Sequence, residues 1–165
     1  MMTEVFLSIG SNIAPEKHIP LALNDLRDLF GPLRCSSLYE TEAVGFEGPV
    51  FHNLVAAFDS TLPPVEIAAQ LRELEERHGR TRNSRKFSSR TLDVDLILYG
   101  DLVTNADGIE LPRQEVTRYG FVLEPLAELA PQARHPISQR TYQELWSELK
   151  PLEKKPARKI PAESS

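Results

Sequence analysis

Asp93 and Asp95 stand two residues apart in the run Thr91-Leu-Asp-Val-Asp-Leu-Ile-Leu-Tyr99, interleaved with Leu92, Val94, Leu96 and Leu98. Such alternation is the pattern of a strand with one face on the core. Both carboxylates then project from the opposite face, about 6–7 Å apart along the chain. Two hard oxygen donors at that spacing can hold Mg²⁺ while substrate phosphates fill its other positions, which makes Mg·ATP the natural candidate ligand. The same pattern also suits a solvated outer face. What precedes the strand bears on the choice: Arg77 to Arg90 holds five arginines and Lys86 with no acidic residue. Guanidinium forks grip phosphate oxygens in pairs. Arg80, Arg82, Arg85 and Arg90 beside a metal-binding pair therefore point to phosphoryl transfer, the bland alternative being a solvated loop paired with Glu73, Glu75 and Glu76. No GxxxxGK[ST] occurs, which excludes a P-loop.

A second set of residues suits a flat ligand. Phe51 and Asn53 lie two apart on a strand and share a face, and Phe121 supplies a ring for an opposite wall. An amide and two rings can sandwich and hydrogen-bond a heterocycle, or they can be ordinary core. The four histidines show no metal-ligand spacing, and the one cysteine, Cys35, excludes an intramolecular disulfide or a multi-cysteine metal site.

The elements that must position these residues can be read from periodicity. Val5 to Ile9 is a strand closed by Gly10-Ser11-Asn12. Ile19, Ala22, Leu23, Leu26 and Phe30 trace a helix that Pro20 blurs at its start and Gly31-Pro32 ends. Leu33–Glu40 and Phe51–Phe58 read as strands, with a loop at Gly45–Pro49. Ile67, Leu71, Leu74 and His78 mark a second helix after Pro63-Pro64. After the Asp93 strand come a hairpin around Asn105–Gly108, a short helix over Phe121–Leu129 interrupted by Pro125, and a last helix opened by a Thr141/Glu144 capping box. The order β-α-β-β-α-β indicates an α+β sandwich, helices on one face of a mainly antiparallel sheet with the other face open for a site.

Composition narrows the function further. At 165 residues, 41% hydrophobic and 26% charged, the chain suits one globular domain. No apolar run reaches the ~20 residues of a membrane helix, and the first ten residues lack the character of a secretory signal. Cytoplasmic residence is expected. The domain is taken as residues 1–149, with 150–165 a Lys- and Pro-rich disordered tail. That tail carries +3, so the body carries −8, which disfavours nucleic acid as a partner.

Six ordered blocks carry a family resemblance: FLSIGSN (6–12), SSLYET (36–41), FHNLVAAF (51–58), GRTR (79–82), RTLDVDLILYG (90–100) and FVLEPLAELAP (121–131). Together they resemble the 6-hydroxymethyl-7,8-dihydropterin pyrophosphokinases of folate biosynthesis, over about residues 4 to 135. The resemblance implies a ferredoxin-like sandwich, usually monomeric, that moves the β,γ-pyrophosphoryl group of ATP to the pterin hydroxymethyl oxygen and leaves AMP. It implies that Asp93 and Asp95 hold two Mg²⁺ ions and that Arg80 and Arg90 reach the phosphates, with Asp95 or a metal-bound water as the candidate base. Glu75 and Arg82 fall at nucleotide-site or lid positions. The pterin is expected between Phe51 and Phe121, read by Asn53 and by groups around Thr41 and Val44, with Phe87 as an aromatic cover where many members carry tryptophan. Two further positions depart from the commoner pattern: Arg113 replaces a histidine, and Tyr119, with Arg118 beside it, replaces an arginine. These residues are expected to make altered ATP contacts. Two other readings stay open at this point, a pterin- or nucleotide-binding paralogue with weak or no turnover and a ferredoxin-like RNA-binding module; against the latter stand the acidic body and the missing aromatic RNP motif.

Overall fold

The computed structural model describes residues 2–42, 48–79 and 91–160. Its centre is β1 (Thr3–Ser11), a strand paired along its whole length on one side and from Val5 to Gly10 on the other. β4 (Phe51–Ser60) runs antiparallel on one side and β5 (Asp93–Tyr99) antiparallel on the other. β3 (Leu38–Thr41) and the two-residue β2 (Arg34–Cys35) both pair with β4, and β6 (Arg158–Ile160) adds to β3. The order β5-β1-β4-β3-β6 places β4 between β1 and β3, a split β-α-β unit of the kind expected for a ferredoxin-like sandwich. Sequence pattern suggested one strand over Leu33–Glu40; it is broken at Ser36, whose hydroxyl accepts from Val55 N–H while its N–H donates to the Val55 carbonyl.

Helices cover both faces, a correction to the one-sided sandwich expected. On one face α1 (Pro15–Phe30) and α2 (Pro64–Arg77) bury Ile19, Ala22, Leu26, Ile67, Leu71 and Leu74 against Val5, Leu7, Ile9, Leu54 and Phe58, with Phe30 stacked on Phe58 at 4.5 Å. On the other, the one-turn α3 (Glu115–Arg118), α4 (Gly120–Leu129) and α5 (Tyr142–Leu149) enclose Phe6, Val55, Ala57 and Ile97 with Val122, Leu123, Leu126 and Tyr142. Each fully buried Val, Leu, Ile or Phe side chain among them contributes about 1.5–3 kcal/mol. This second layer covers the end of the sheet where Phe6 and Ala57 lie, and its apolar cluster does not extend to Gly10, Asn53 or Asp93. α4 runs unbroken through Pro125, and the capping box of α5 forms as the sequence indicates. The hairpin expected around Asn105–Gly108 is a single Thr104–Leu111 bridge over a 3₁₀ turn.

Three further readings are corrected. β1 continues through Gly10 to Ser11 rather than turning there. In β5 a bulge makes Ile97 an extra residue, because Phe6 pairs with Leu98 while Leu7 pairs with Leu96. Leu98 therefore joins Ile97 on the α4 side, not Leu96 on the α2 side. Finally, residues 150–160 are not structureless: a 3₁₀ turn (Lys150–Leu152) leads to β6. The edge of β3 recruits this polar segment through backbone bonds and charge, which hydropathy does not register.

Two histidines join burial to acid sensitivity. His18 Nδ1 lies 2.8 Å from His78 Nδ1, and Asp25 stands 3.4 Å from the other nitrogen of His78. Burial lowers the pKa of His18, with the His78 and Lys17 charges adding to it. Burial does the same to His135, whose Nδ1 accepts from the N–H groups of Ile137 and Ser138. For a base whose folded pKa is depressed, the unfolded chain binds more protons, so stability is complete above the ordinary value of about 6.5 and is lost as pH falls through the folded values. We expect the thermal midpoint, followed by circular dichroism, to fall between pH 7 and pH 5, and His18→Gln to flatten that slope; an unchanged slope would show the pair to be electrostatically silent.

Candidate active site

Strand register places the chemistry-bearing residues in rows across one sheet face. Gly10 pairs with Asp93 on one side and Asn53 on the other, and Asn53 pairs in turn with Tyr39. One row down, Ser8 pairs with Asp95 and with Val55. Paired residues share a face, so Asp93, Asp95 and Asn53 all look toward the α4 side, just beyond the apolar cluster of that layer. With strands about 4.8 Å apart, Asp93 and Asn53 are about 10 Å from one another across the sheet. The carboxylate pair and the amide thus define two ends of one surface.

The amide end is tightly held. Asn53 is buried, and its Nδ2 donates to Thr41 Oγ1 at 2.7 Å. This turns Oδ1 toward Gly10, where an added Cβ would meet it at 2.7 Å. Phe51 pairs with Thr41 and lies on the same face of β4 as Asn53. Over this end stands the start of α4, where Tyr119 stacks on Phe121 with ring centres 5.1 Å apart. Thr41, Arg118, Tyr119 and Phe121 line a common cleft of about 440 Å³, together with Glu42 and Trp146 among others. The far end of α4 is fastened to β3 through Glu128, which accepts from Ser37 N–H, Ser37 Oγ and Tyr39 O–H. Burial opposes the charge of Glu128, but the Ser37 and Tyr39 hydrogen bonds outweigh it and hold the carboxyl below its ordinary range.

The carboxylate end faces Arg113. The Arg113 N–H donates to the Ile97 carbonyl, and Nε donates to Glu115 at 2.8 Å. Burial disfavours the guanidinium charge, yet the Glu115 hydrogen bond with the nearby charges of Asp95, Glu115 and Glu110 raises its pKa. A permanent cation thus stands within electrostatic reach of Asp95. The short stretch Arg113–Phe121 spans the whole site, from the carboxylate pair to the aromatic wall.

Glu75, expected from the family resemblance at a nucleotide-site or lid position, has a described partner within the fold. It is buried in α2, 5% exposed, and its Oε2 accepts from the Val94 N–H at 2.9 Å, between the two aspartates. The described contact makes it a brace for β5. Val44 and Phe87, and the arginines Arg80, Arg82 and Arg90, lie outside the described residues. Sequence reading missed Gly10, for which a glycine inside a strand was the available signal, and Glu115, which carried none. Among the described residues no group of three His, Cys, Asp or Glu side chains is disposed to hold a metal. Two carboxylates alone suit a hard cation that takes its remaining ligands from water and phosphate.

Comparison with known proteins decides the family. Residues 6–131 match the model for 7,8-dihydro-6-hydroxymethylpterin-pyrophosphokinase (HPPK). The 2-amino-4-hydroxy-6-hydroxymethyldihydropteridine pyrophosphokinase of Pseudomonas aeruginosa is 35% identical over 82% of this chain and 86% of its own length. The chain belongs to this family. The pyrophosphokinase of Aquifex aeolicus is 30% identical over 92% of the chain and 96% of the relative. Among solved structures, an HPPK-DHPS in complex with substrates gives a TM-score of 0.74 at 10% identity, and Plasmodium falciparum HPPK-DHPS with pteroate gives 0.69 at 13%. These matches cover 92% and 90% of this chain but only 44% and 42% of those longer chains, so the chain spans less than half of them and they speak for the fold alone.

The brace role of Glu75 is open to direct measurement. Glu75→Ala leaves the Val94 N–H unpaired in the interior and should lower unfolding stability by about 1–3 kcal/mol in urea titration. Unaltered stability would remove the brace.

Proposed function

We propose that this HPPK-family chain transfers the β,γ-pyrophosphoryl group of ATP to the hydroxymethyl oxygen of 6-hydroxymethyl-7,8-dihydropterin, a step of folate biosynthesis. The observation that supports the reading is the row Asp93–Gly10–Asn53, which sets a carboxylate pair and the Asn53 amide about 10 Å apart on one sheet face. In the reaction the hydroxymethyl oxygen bonds to the β-phosphorus. The bond from that phosphorus to the α,β-bridging oxygen breaks, AMP leaves with the oxygen, and the hydroxyl proton is released.

The residues divide the work. Asn53 Oδ1, aimed by the Thr41 hydrogen bond, accepts from the N–H edge of the pterin, while Phe51 and Phe121 take its two flat faces. Thr41 and the segment containing Val44 complete that edge, and Phe87 covers the ring. Asp93 and Asp95 fit Mg²⁺ by donor type and spacing, and two such ions, when bound with ATP, would neutralise phosphate charge and acidify the attacking hydroxyl. Asp95 also offers a lone pair for the hydroxyl proton. Arg113, aligned by Glu115, meets the polyphosphate beside Asp95, with Arg118 and Tyr119 further along the same stretch. Arg80, Arg82 and Arg90 reach it from the basic segment and stabilise charge developing on the transferring group. Glu75 acts on the nucleotide side through β5. The aromatic walls exclude water that would otherwise take the pyrophosphoryl group. The domain acts as a cytoplasmic monomer without nucleic acid or membrane; no helix among the described residues is long and apolar enough to cross a bilayer.

Incubation with ATP, Mg²⁺ and the pterin, with chromatographic separation of products, should give AMP and pterin diphosphate in equal amounts. ADP, or no pterin-dependent loss of ATP, would refute the assignment. Asp95→Ala should cut turnover at least 100-fold, on the scale of losing a key transition-state contact, with an unchanged circular dichroism spectrum; near-normal turnover would remove Asp95 from the mechanism. Gly10→Ala drives a methyl into Asn53 Oδ1 and should raise the pterin KM, on the order of tenfold for about 1.4 kcal/mol of lost amide contact. An unaltered KM would show that Asn53 does not read the pterin.

A further inference from the structure

The C-terminal segment touches both walls of the cleft, and the pyrophosphokinase reading gives it no role. β6 runs antiparallel along β3, with Tyr39 opposite Lys159 and Glu40 opposite Arg158. Because strand residues alternate, the segment grips β3 from both faces. Arg158 pairs with Glu40 at 3.1 Å on the α1/α2 side. On the α4 side, Lys159 stands 5.9 Å above the Tyr39 ring and 3.9 Å from Glu128. Past the end of β3, Lys155 Nζ meets Glu42 at 2.7 Å, one residue beyond Thr41. Upstream, Glu153 lies against Gly120, where a Cβ would run into its carboxylate, and Trp146 borders the same point. Leu152, Glu153, Lys155 and Ala157 line the cleft opposite Thr41 and Phe121.

From this arrangement we infer that residues 152–160 form a strap that fixes the separation between Thr41 and Phe121, and that Lys155 and Arg158 are positioning residues for the pterin. Each acts through a glutamate: Arg158 through Glu40 of the strand that carries Thr41, and Lys155 through Glu42, the residue that follows Thr41. An exposed ion pair is weak alone, but here a backbone ladder holds Leu38 to Glu40 and three side-chain contacts fall on Tyr39, Glu40 and Glu42, the residues on either side of Thr41. Thr41 is the acceptor that aims Asn53, so a shift of β3 reaches the amide directly. The carboxylate end of the site lies on β5, with three strands, β1, β4 and β3, between it and the strap. The strap therefore bears on pterin binding through β3, and none of these contacts reaches Asp93, Asp95 or Arg113.

The inference rests on the proposed pyrophosphoryl transfer and is tested in the full-length chain. Lys155→Glu/Arg158→Glu should raise the KM for 6-hydroxymethyl-7,8-dihydropterin about three- to tenfold, a loss of about 0.7–1.4 kcal/mol, while kcat and the KM for Mg·ATP stay within about twofold. Exchanging charges in Lys155→Glu/Glu42→Lys should return most of the pterin KM, a rescue that loss of bulk packing would not allow. If the double reversal fails to fold, Lys155→Ala, exposed and outside the sheet, should give the same direction at smaller size. An unchanged pterin KM, or both KM values rising together with a fallen thermal midpoint, would overturn the strap. No AMP from the unaltered chain would instead overturn the pyrophosphokinase reading, and the strap's role in pterin positioning with it.

Discussion

At the middle of the sheet, Gly10 separates Asp93 from Asn53, and any side chain there would stand between the two chemical ends of the site. Its lack of a Cβ leaves the Asn53 carbonyl oxygen lying over β1 and keeps the surface between amide and carboxylates open. A central strand is ordinarily where a sheet gains most from large side chains on both faces. Here the α1/α2 face of β1 keeps Val5, Leu7 and Ile9, while the other face shrinks from Phe6 through Ser8 to Gly10. The fold is thick where α4 and α5 sit and bare where the substrate is proposed to lie. Burial is concentrated under the helices, and function occupies the remainder of the same sheet.

Much of this was legible because periodicity reports burial. The strands carrying Asp93 and Asn53 and the two helices of the α1/α2 layer follow from spacing of apolar residues, and the Thr141 cap follows from Glu144 standing three residues after it. What spacing could not report was any decision taken between distant segments. The bulge at Ile97 arises from how β5 meets β1, so strict alternation assigned Leu98 to the wrong side. The helices on the second face were readable one by one, but not their destination, since an apolar stripe does not name its partner. Residues 150–160 contain few apolar side chains and join the sheet through backbone bonds and ion pairs, to which hydropathy is blind.

The site shows the same division. Asp93 and Asp95 announce themselves by alternation, and Phe51 with Asn53 by sharing a face. The pairing of Arg113 with Glu115 beside Asp95 depends on the path of a short irregular stretch and has no periodic signature. Family position places Glu75 at a nucleotide-site or lid position, and no spacing foretells its described hydrogen bond, which meets the need of the Val94 N–H for an acceptor where β5 meets α2. One carboxylate in the middle of an apolar layer is a costly choice, and here it secures the strand that carries the two others.

The bulge at Ile97 also divides β5 into two phases. Residues before it point Val94 and Leu96 into the α2 layer and the aspartates outward, whereas after it Leu98 faces α4 and Tyr99 turns back to bond the Leu62 carbonyl at 2.7 Å. The extra residue works as a phase shifter: the half that carries the aspartates can keep its alternation while the far half satisfies a different neighbour. Loss of one residue there would force a choice of inversion, with either the carboxylates driven under α2 or Tyr99 drawn away from its anchor. Length in this strand is accordingly constrained more tightly than identity, since Ile97 can tolerate another apolar residue far better than it can be spared.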